Sequence, residues 1–209
     1  MPLARLWKSA ALSAAALVGL GLASSAQAQQ TGQTGVDRVR ITMDANEWHQ
    51  VAEFLAFEEG SGTNVASQAN GGVATASSSG FGTIPGDAND ANTDGNYGNG
   101  SLWHSGVDPA GGATVAVGQF VEIDFSSPRT INSIQVFGRT DCCQNRDTDL
   151  SLQLYGENGA LLQEVQFGIP DDDQEITIPI TAIPEPASLG VLAVGGLALL
   201  ARRRSRAAR

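Results

Sequence analysis

Two stretches near the middle of the chain decide the fold: Phe120–Phe125, with the sequence FVEIDF, and Ile131–Phe137, with the sequence INSIQVF. Apolar and polar residues alternate along both, which is the period of a β-strand that buries one face. The same pattern predicts strands at Leu150–Tyr155 and Leu161–Phe167. Glu157-Asn158-Gly159 lies between them, and its Asn-Gly pair favours a tight hairpin turn.

Working outward, further strands are predicted at Val39–Met43, Val51–Phe57 and Gln174–Ile180. The segment Ser77–Ser101 is dense in Gly, Asn, Asp and Ser, which is typical of a loop with many oxygen ligands. No window of eleven or more residues between the two ends carries a helical apolar period. Short strands separated by polar turns predict an all-β protein built as an antiparallel β-sandwich or barrel.

The N-terminus has the features of a secretory signal. Arg5 and Lys8 precede an apolar run over Ala10–Ala23, and Ala26-Gln27-Ala28 follows. Small residues at the first and third of those positions are what a signal peptidase reads, so we expect residues 1–28 to be a signal helix that is cleaved after Ala28. The alternative is a retained membrane helix, for which the apolar run is short.

The C-terminus has a second targeting pattern. Pro184-Glu185-Pro186 is followed by an apolar stretch over Leu189–Ala201, and then by an arginine cluster at Arg202, Arg203, Arg204, Arg206 and Arg209. As a helix the apolar stretch would cover about 20 Å, which is short of a hydrocarbon core of roughly 30 Å. The order of these elements resembles the PEP-CTERM sorting signal. The resemblance implies a Gram-negative host, transient contact with the inner membrane, and removal of residues 184–209 by an exosortase-type peptidase.

Between the two targeting segments we expect a flexible leader over residues 29–38 and one domain over residues 39–183. Residues 29–183 contain 21 Asp and Glu against 5 Arg and no Lys, so the net charge is 5 − 21 = −16. Such a surface repels nucleic acid and anionic lipid, and it suits cations or neutral and basic partners.

The segment Gly138–Arg146, with the sequence GRTDCCQNR, is the most informative stretch for function. Arg139 and Arg146 bracket the adjacent Cys142 and Cys143, directly after a predicted strand. The guanidinium groups can donate to hydroxyls, Asp141 can orient one of them, and oxidised neighbouring cysteines would stiffen the loop and present an apolar face. The alternative is a pair of surface salt bridges beside two reduced thiols.

The order Arg139-x-Asp141-Cys142-Cys143-x-x-Arg146 resembles the signature of fucolectins, which are fucose-binding lectins of the discoidin-like, galactose-binding-like jelly-roll superfamily. This resemblance implies an antiparallel β-sandwich. It also implies that the two arginines hold a fucose-like sugar and that a Cys142–Cys143 disulfide packs on the sugar ring.

The preceding loop extends the resemblance. Asp94-Gly95-Asn96 and Ser101-Leu102-Trp103-His104 are similar to the Asp-Gly-Asn and Ser-x-x-His of the family, which implies a sugar-binding role for His104. Trp103 is bulky where the family has a small residue, so we expect it either to stack on the sugar or to fill the pocket.

The resemblance also implies a structural calcium ion. Its ligands would come from the Asp-Gly-Asn loop, from the serine before the histidine, and from a strand that carries a glutamate: Asp94, the carbonyl of Asn96, Ser101, Glu53 and the carbonyl of Ala52. In the family that strand ends the domain, whereas here it stands near the start, so the domain is expected to be circularly permuted. Oxygen ligands in an acidic loop suit calcium. The alternative is an acidic turn that binds no ion.

Three functions follow in order of support. The first is an exported, calcium-stabilised carbohydrate-binding module that acts on exopolysaccharide or surface glycans. The second is a structural protein of the extracellular matrix with the same fold and no sugar binding. The third is a hydrolase, but His49 and His104 lie in no nucleophile or zinc motif, so we expect no catalytic activity.

Overall fold

The computed structural model describes residues 32–106, 117–171 and 174–183. The predicted signal segment with its cleavage site at Ala28 lies outside these ranges, and so does the tail that begins at Pro184-Glu185-Pro186. No helix in the three described ranges is both long enough and apolar enough to cross a membrane.

The described part of the chain is mostly β-structure with antiparallel pairing, and it contains no α-helix. Its strands are β1 (Gln33–Met43), β2 (Gln50–Val51), β3 (Glu53–Glu58), β4 (Val73–Ala76), β5 (Trp103–His104), β6 (Phe120–Phe137), β7 (Leu150–Tyr155), β8 (Leu161–Phe167) and β9 (Glu175–Pro179). Short 3-10 turns occupy Gln68–Asn70, Pro85–Ala88, Tyr97–Asn99 and Glu157–Gly159.

The long strand β6 organises the main sheet, whose strand order is β3-β6-β1-β7-β8. The first part of β6 lies between β1 and β4, since Glu122 pairs with Arg40 on one side and with Thr75 on the other. The last part lies between β3 and β9, since Phe137 pairs with both Glu53 and Glu175. The strand therefore changes both partners along its length. The short strands β2 and β5 form a separate two-stranded ribbon.

Strand alternation builds the core. In β1 the side chains of Val39, Ile41 and Met43 are fully buried, and they meet the matching apolar positions of β6 and β7. These matching residues are Val121, Ile123, Leu150, Leu152 and Leu154. Burying one such side chain stabilises the fold by about 1.5–3 kcal/mol, so the sheet provides the main source of stability.

The structure adds the unpredicted strands β4 and β5, and it differs from the predicted strands most at three further points. β1 starts at Gln33, six residues before the predicted boundary, because residues 33–38 pair with β6 around a bulge at Gly35, where φ is +69°. The two predicted central strands are one strand, because Ser126–Thr130 stays extended. The predicted strand Val51–Phe57 is divided at Ala52 between the ribbon and the main sheet.

Candidate functional site

Two of the predicted functional loops meet where β6 ends. The Thr140 backbone N–H donates to the Gly95 carbonyl at 2.9 Å, and the Thr140 hydroxyl donates to the Asp94 carbonyl at 2.8 Å. Gly95 has a φ of +67°, and a Cβ there would lie 2.5 Å from the Gly138 carbonyl oxygen. Only glycine permits this approach, so the Asp94-Gly95-Asn96 loop and the arginine-cysteine loop form one surface.

Arg139 is held in a fixed position. Its Nε donates to Asp141 Oδ1 at 2.6 Å and its second terminal nitrogen donates to Asp141 Oδ2 at 3.1 Å. Hydrogen bonding from Arg139 lowers the pKa of Asp141, so the carboxylate stays ionised. The guanidinium also lies 5.1 Å from the centre of the Tyr97 ring. Asp141 therefore orients one of the two arginines, as the sequence predicts.

Cys142 and Cys143 are disulfide-bonded to each other, and Cys143 has a positive φ of 59°. The loop is closed further by the Arg146 N–H, which donates to the Cys143 carbonyl at 3.3 Å, and by the Gln144 amide, which donates to the Thr140 carbonyl at 3.0 Å. Both sulfur-bearing residues are half-buried. The loop is thus a compact turn that carries Arg139 and Arg146 on its two arms.

His104 is nearly buried, with 4% exposure, in the β2–β5 ribbon. Its Nδ1 lies 2.7 Å from the Ser105 carbonyl and its Nε2 lies 2.8 Å from the Gln50 amide nitrogen. A carbonyl only accepts, so the hydrogen-bond pattern assigns the proton to Nδ1 and makes Nε2 the acceptor. Burial lowers the pKa of His104, and the positive charges of Arg139 and Arg146 lower it further.

Trp103 is not part of this surface. It is fully buried, its ring packs on His49 at 5.1 Å, and its indole N–H donates to the Ser78 carbonyl at 3.1 Å and to the Ser79 hydroxyl at 2.9 Å. Successive side chains of a strand point to opposite faces, so His104 and Trp103 cannot share one site. The structure removes Trp103 from the predicted sugar-binding set and places it in the core.

Two aromatic residues that were not predicted pack on His104, and a third, Tyr97, contacts one of them. The Phe81 and Trp48 rings lie 4.6 and 5.5 Å from the imidazole and 5.5 Å from each other. The Tyr97 hydroxyl donates to the Phe81 carbonyl at 2.5 Å. Phe81 is 54% exposed. Phe81 and Tyr97 are large aromatic residues in a loop of mostly small polar residues. This contrast is the sequence feature from which they could have been predicted as site residues.

Buried polar contacts tie the ribbon to the arginine loop. The Gln50 N–H donates to Asp147 Oδ1 at 3.2 Å, directly after Arg146. Burial raises the pKa of Asp147 to about 8. His49 is also buried, and burial lowers its pKa to about 3, so it stays neutral. Neither Asp147 nor Gln50 was predicted, because nothing in a strand pattern marks a buried polar pair.

Glu53, the predicted calcium ligand on β3, is fully buried. Its Oε2 accepts from the Ala91 N–H at 3.1 Å, while its Oε1 has no hydrogen-bond partner among the described residues. Burial raises the pKa of Glu53 to about 8, against the opposing effect of the Ala91 hydrogen bond. A buried carboxylate oxygen without a partner is costly unless it is protonated or holds a cation.

The other predicted ligands lie on the adjoining loop. The Ser101 hydroxyl is 2.9 Å from the Asn96 carbonyl, so two predicted ligand oxygens are neighbours. The Asp94 carboxylate is exposed and accepts from the Asn99 amide at 2.6 Å. Ala52 is buried, and its N–H donates to the Phe137 carbonyl at 2.8 Å. Among the described residues no three His, Cys, Asp or Glu side chains form a metal-binding group, so such a site would depend on hydroxyl and carbonyl oxygens.

Comparison with known families gives one match, which covers residues 182–205 and is described as the PEP-CTERM protein-sorting motif. The match lies at the predicted tail. Proteins with this motif are exported and sorted to the cell surface in Gram-negative bacteria, and an exosortase processes them. The motif indicates an exported surface protein. No curated protein and no solved structure matches the chain.

Proposed function

We propose that this protein is an exported, non-catalytic, lectin-like module that binds carbohydrate at the cell surface or in the exopolysaccharide matrix. One observation carries the proposal: the loop that bears Arg139 and Arg146 is joined to His104 through Gln50, which contacts both Asp147 and the imidazole, and exposed Phe81 packs on that imidazole. Fixed donors beside an exposed aromatic face are what a sugar ring requires, since it offers hydroxyls at its edge and C–H groups on its face.

The donor capacity supports this function. A guanidinium has five N–H donors, and the Asp141 carboxylate takes two from Arg139. The donors that remain are held in a plane that is already oriented, so little conformational entropy is lost when they bind hydroxyls. The disulfide between Cys142 and Cys143 would add an apolar face beside them.

For the architecture we propose a β-sandwich of the discoidin-like jelly-roll type, circularly permuted relative to fucolectins. The exchange of partners along β6, from β1 and β4 to β3 and β9, supports two layers that share one strand. The position of Glu53 supports the permutation. It lies on an early strand, yet it reaches the Asp90–Asn92 segment beside the Asp-Gly-Asn loop.

We further propose that calcium stabilises the loop end. The partnerless Oε1 of Glu53, and the Asn96 and Ser101 oxygens that lie 2.9 Å from each other, are ligands of the kind that a hard cation takes. The residues that would hold the ion are Glu53, Asp94, Ser101 and the carbonyls of Asn96 and Ala52. The ion would balance the negative charge of the Glu53 carboxylate, and it would connect β3 to the loop that carries Gly95.

A second candidate is a matrix protein that has this fold and binds no sugar. The environment of His104 favours this candidate. Both ring nitrogens have hydrogen-bond partners within the protein, and the residue is only 4% exposed. A sugar could reach His104 Nε2 only by displacing the Gln50 amide.

A glycan array, run with the purified exported protein in calcium and again in chelator, distinguishes the two candidates. The lectin proposal predicts binding to a subset of neutral glycans that weakens when calcium is removed. If the protein binds no glycan while it keeps a cooperative thermal transition, the matrix role takes its place.

A further inference from the structure

The connection between β1 and β2 adds one charged residue to the candidate site. Glu47 lies on this connection, and its Oε2 is 3.7 Å from Arg146 Nε. The same oxygen accepts from the Trp48 backbone N–H at 3.3 Å, which holds the carboxylate toward the arginine. Glu47 is 48% exposed in its side chain and Arg146 is 30% exposed, so a ligand at the rim meets both groups.

Two contacts keep Glu47 at this rim. The Trp48 ring packs on His104 and Phe81, each at 5.5 Å. Two residues further along, the Gln50 N–H donates to Asp147, the neighbour of Arg146. Trp48 and Gln50 therefore fix the segment that bears Glu47, and the position of Glu47 does not depend on its weak ion pair alone.

Each arginine of the site thus has its own carboxylate: Asp141 for Arg139 and Glu47 for Arg146. The two charge pairs cancel locally, while the body over residues 29–183 carries a net charge of −16. An anionic group of a ligand would have to compete with Glu47 for Arg146, and the net negative charge of the domain would repel it. Neutral hydroxyls meet no such penalty, because they accept from guanidinium N–H groups that the carboxylates do not use.

We propose that Glu47 is a specificity-determining residue, which makes the site select neutral glycans and exclude acidic ones that carry uronate or sulfate groups. This inference rests on the proposed carbohydrate binding and narrows its ligand class. Glu47 acts as an internal competitor for Arg146, while the Phe81 ring, which is 54% exposed, can receive the C–H groups of a neutral ring.

The test uses Glu47→Gln in the exported protein, with Glu157→Gln as the matched control. Glu157 is exposed in the turn between β7 and β8, whereas Asp147 precedes the opposite end of β7. Glu157→Gln therefore removes one negative charge, as Glu47→Gln does, but at the other end of that strand. The probes are an array of matched sugar pairs, galactose with galacturonate and glucose with glucuronate, together with fucose and its sulfated form. The measured quantity is the ratio of neutral to acidic binding at 0.15 M salt.

We expect the wild type to prefer the neutral member of each bound pair, and Glu47→Gln to lower that preference about two- to five-fold, which is the range for an exposed ion pair. Neutral binding should persist, which also shows that the variant is folded, and Glu157→Gln should leave the ratio unchanged. An unchanged ratio in Glu47→Gln, or an equal shift in both variants, overturns the specificity role alone. Absence of binding to every glycan overturns the proposed function and this inference with it.

Discussion

Arginine pairs occur in two regions of this molecule, and their partners differ. On the sheet, Arg38 and Arg40 share one carboxylate, that of Glu122, which is only 10% exposed in its side chain. At the loop end, Arg139 and Arg146 have separate carboxylates in Asp141 and Glu47. The sheet pair neutralises one poorly solvated anion. In the loop pair each guanidinium has its own carboxylate, and the side chains of Arg139 and Arg146 are 12% and 30% exposed.

The aromatic contacts of the two pairs differ in the same way. Arg40 lies 3.9 Å from the centre of the Phe120 ring and Arg38 lies 4.8 Å from that of the Tyr155 ring, so the sheet arginines cover half-buried rings of the neighbouring strands β6 and β7. Around His104, by contrast, the Phe81 ring is left more than half exposed. The comparison teaches that the exposure of the arginines does not separate the two regions, whereas the exposure of the neighbouring aromatic ring does.

The largest effect should come from the sheet pair. Glu122→Ala leaves two half-buried guanidinium groups without their acceptor, and Thr75 loses its hydroxyl contact as well. We expect a loss of about 3 kcal/mol in the free energy of unfolding, the lower end of the range for breaking a buried ion pair. Urea denaturation measures it. Asp141→Ala is the counterpart and should cost less than about 1 kcal/mol. Equal losses would remove the distinction between the two regions.

Calcium should act on the loop end, where pH acts through Glu53. The pKa of Glu53 is raised to about 8, so between pH 4.5 and 8 the folded state binds more protons than the unfolded state. Stability without calcium therefore falls as the pH rises through this window. Calcium would replace the proton and stabilise the fold by about 2.7 kcal/mol at 100 times its dissociation constant.

Thermal melting at several pH values, in calcium and in chelator, measures this effect. Glu53→Gln should flatten much of the pH dependence and abolish the calcium response. Asp147→Asn is the control, because the pKa of Asp147 is also raised to about 8. This variant should reduce the pH dependence of the melting temperature and keep its response to calcium. A wild type that melts identically in calcium and in chelator at pH 8 would exclude the ion.

A smaller effect is expected on sugar affinity. Arg146→Ala removes donors at the rim, and a hydrogen bond to a charged group contributes about 2 kcal/mol, or roughly thirty-fold in affinity. Arg129, which pairs with Glu58 on the sheet, supplies the comparison. Titration on an immobilised fucosylated glycan should show a loss for Arg146→Ala and none for Arg129→Ala. Similar behaviour of the two variants would count against the loop pair as sugar donors.

Much of the sheet followed from local pattern. The bounds predicted for β7 and β8 are those observed, and Glu157-Asn158-Gly159 is the turn between them. Alternation requires only that one face be buried, which neighbouring residues reveal. The strand boundary at Val39 was wrong, because Gln33–Arg38 gains its pairing from β6, about ninety residues away in sequence.

The sequence by itself determined the β class of the described region, the sorting motif at the C-terminus, and the residue types of the candidate site. Only the tertiary structure decided which of these residues meet. It buried Trp103, packed Trp48 and Phe81 on His104, and placed Glu47 beside Arg146. The physical reason is range: strand period and turn chemistry act over a few residues, whereas the site joins segments up to about a hundred residues apart, whose contacts exist only once the sheet has formed.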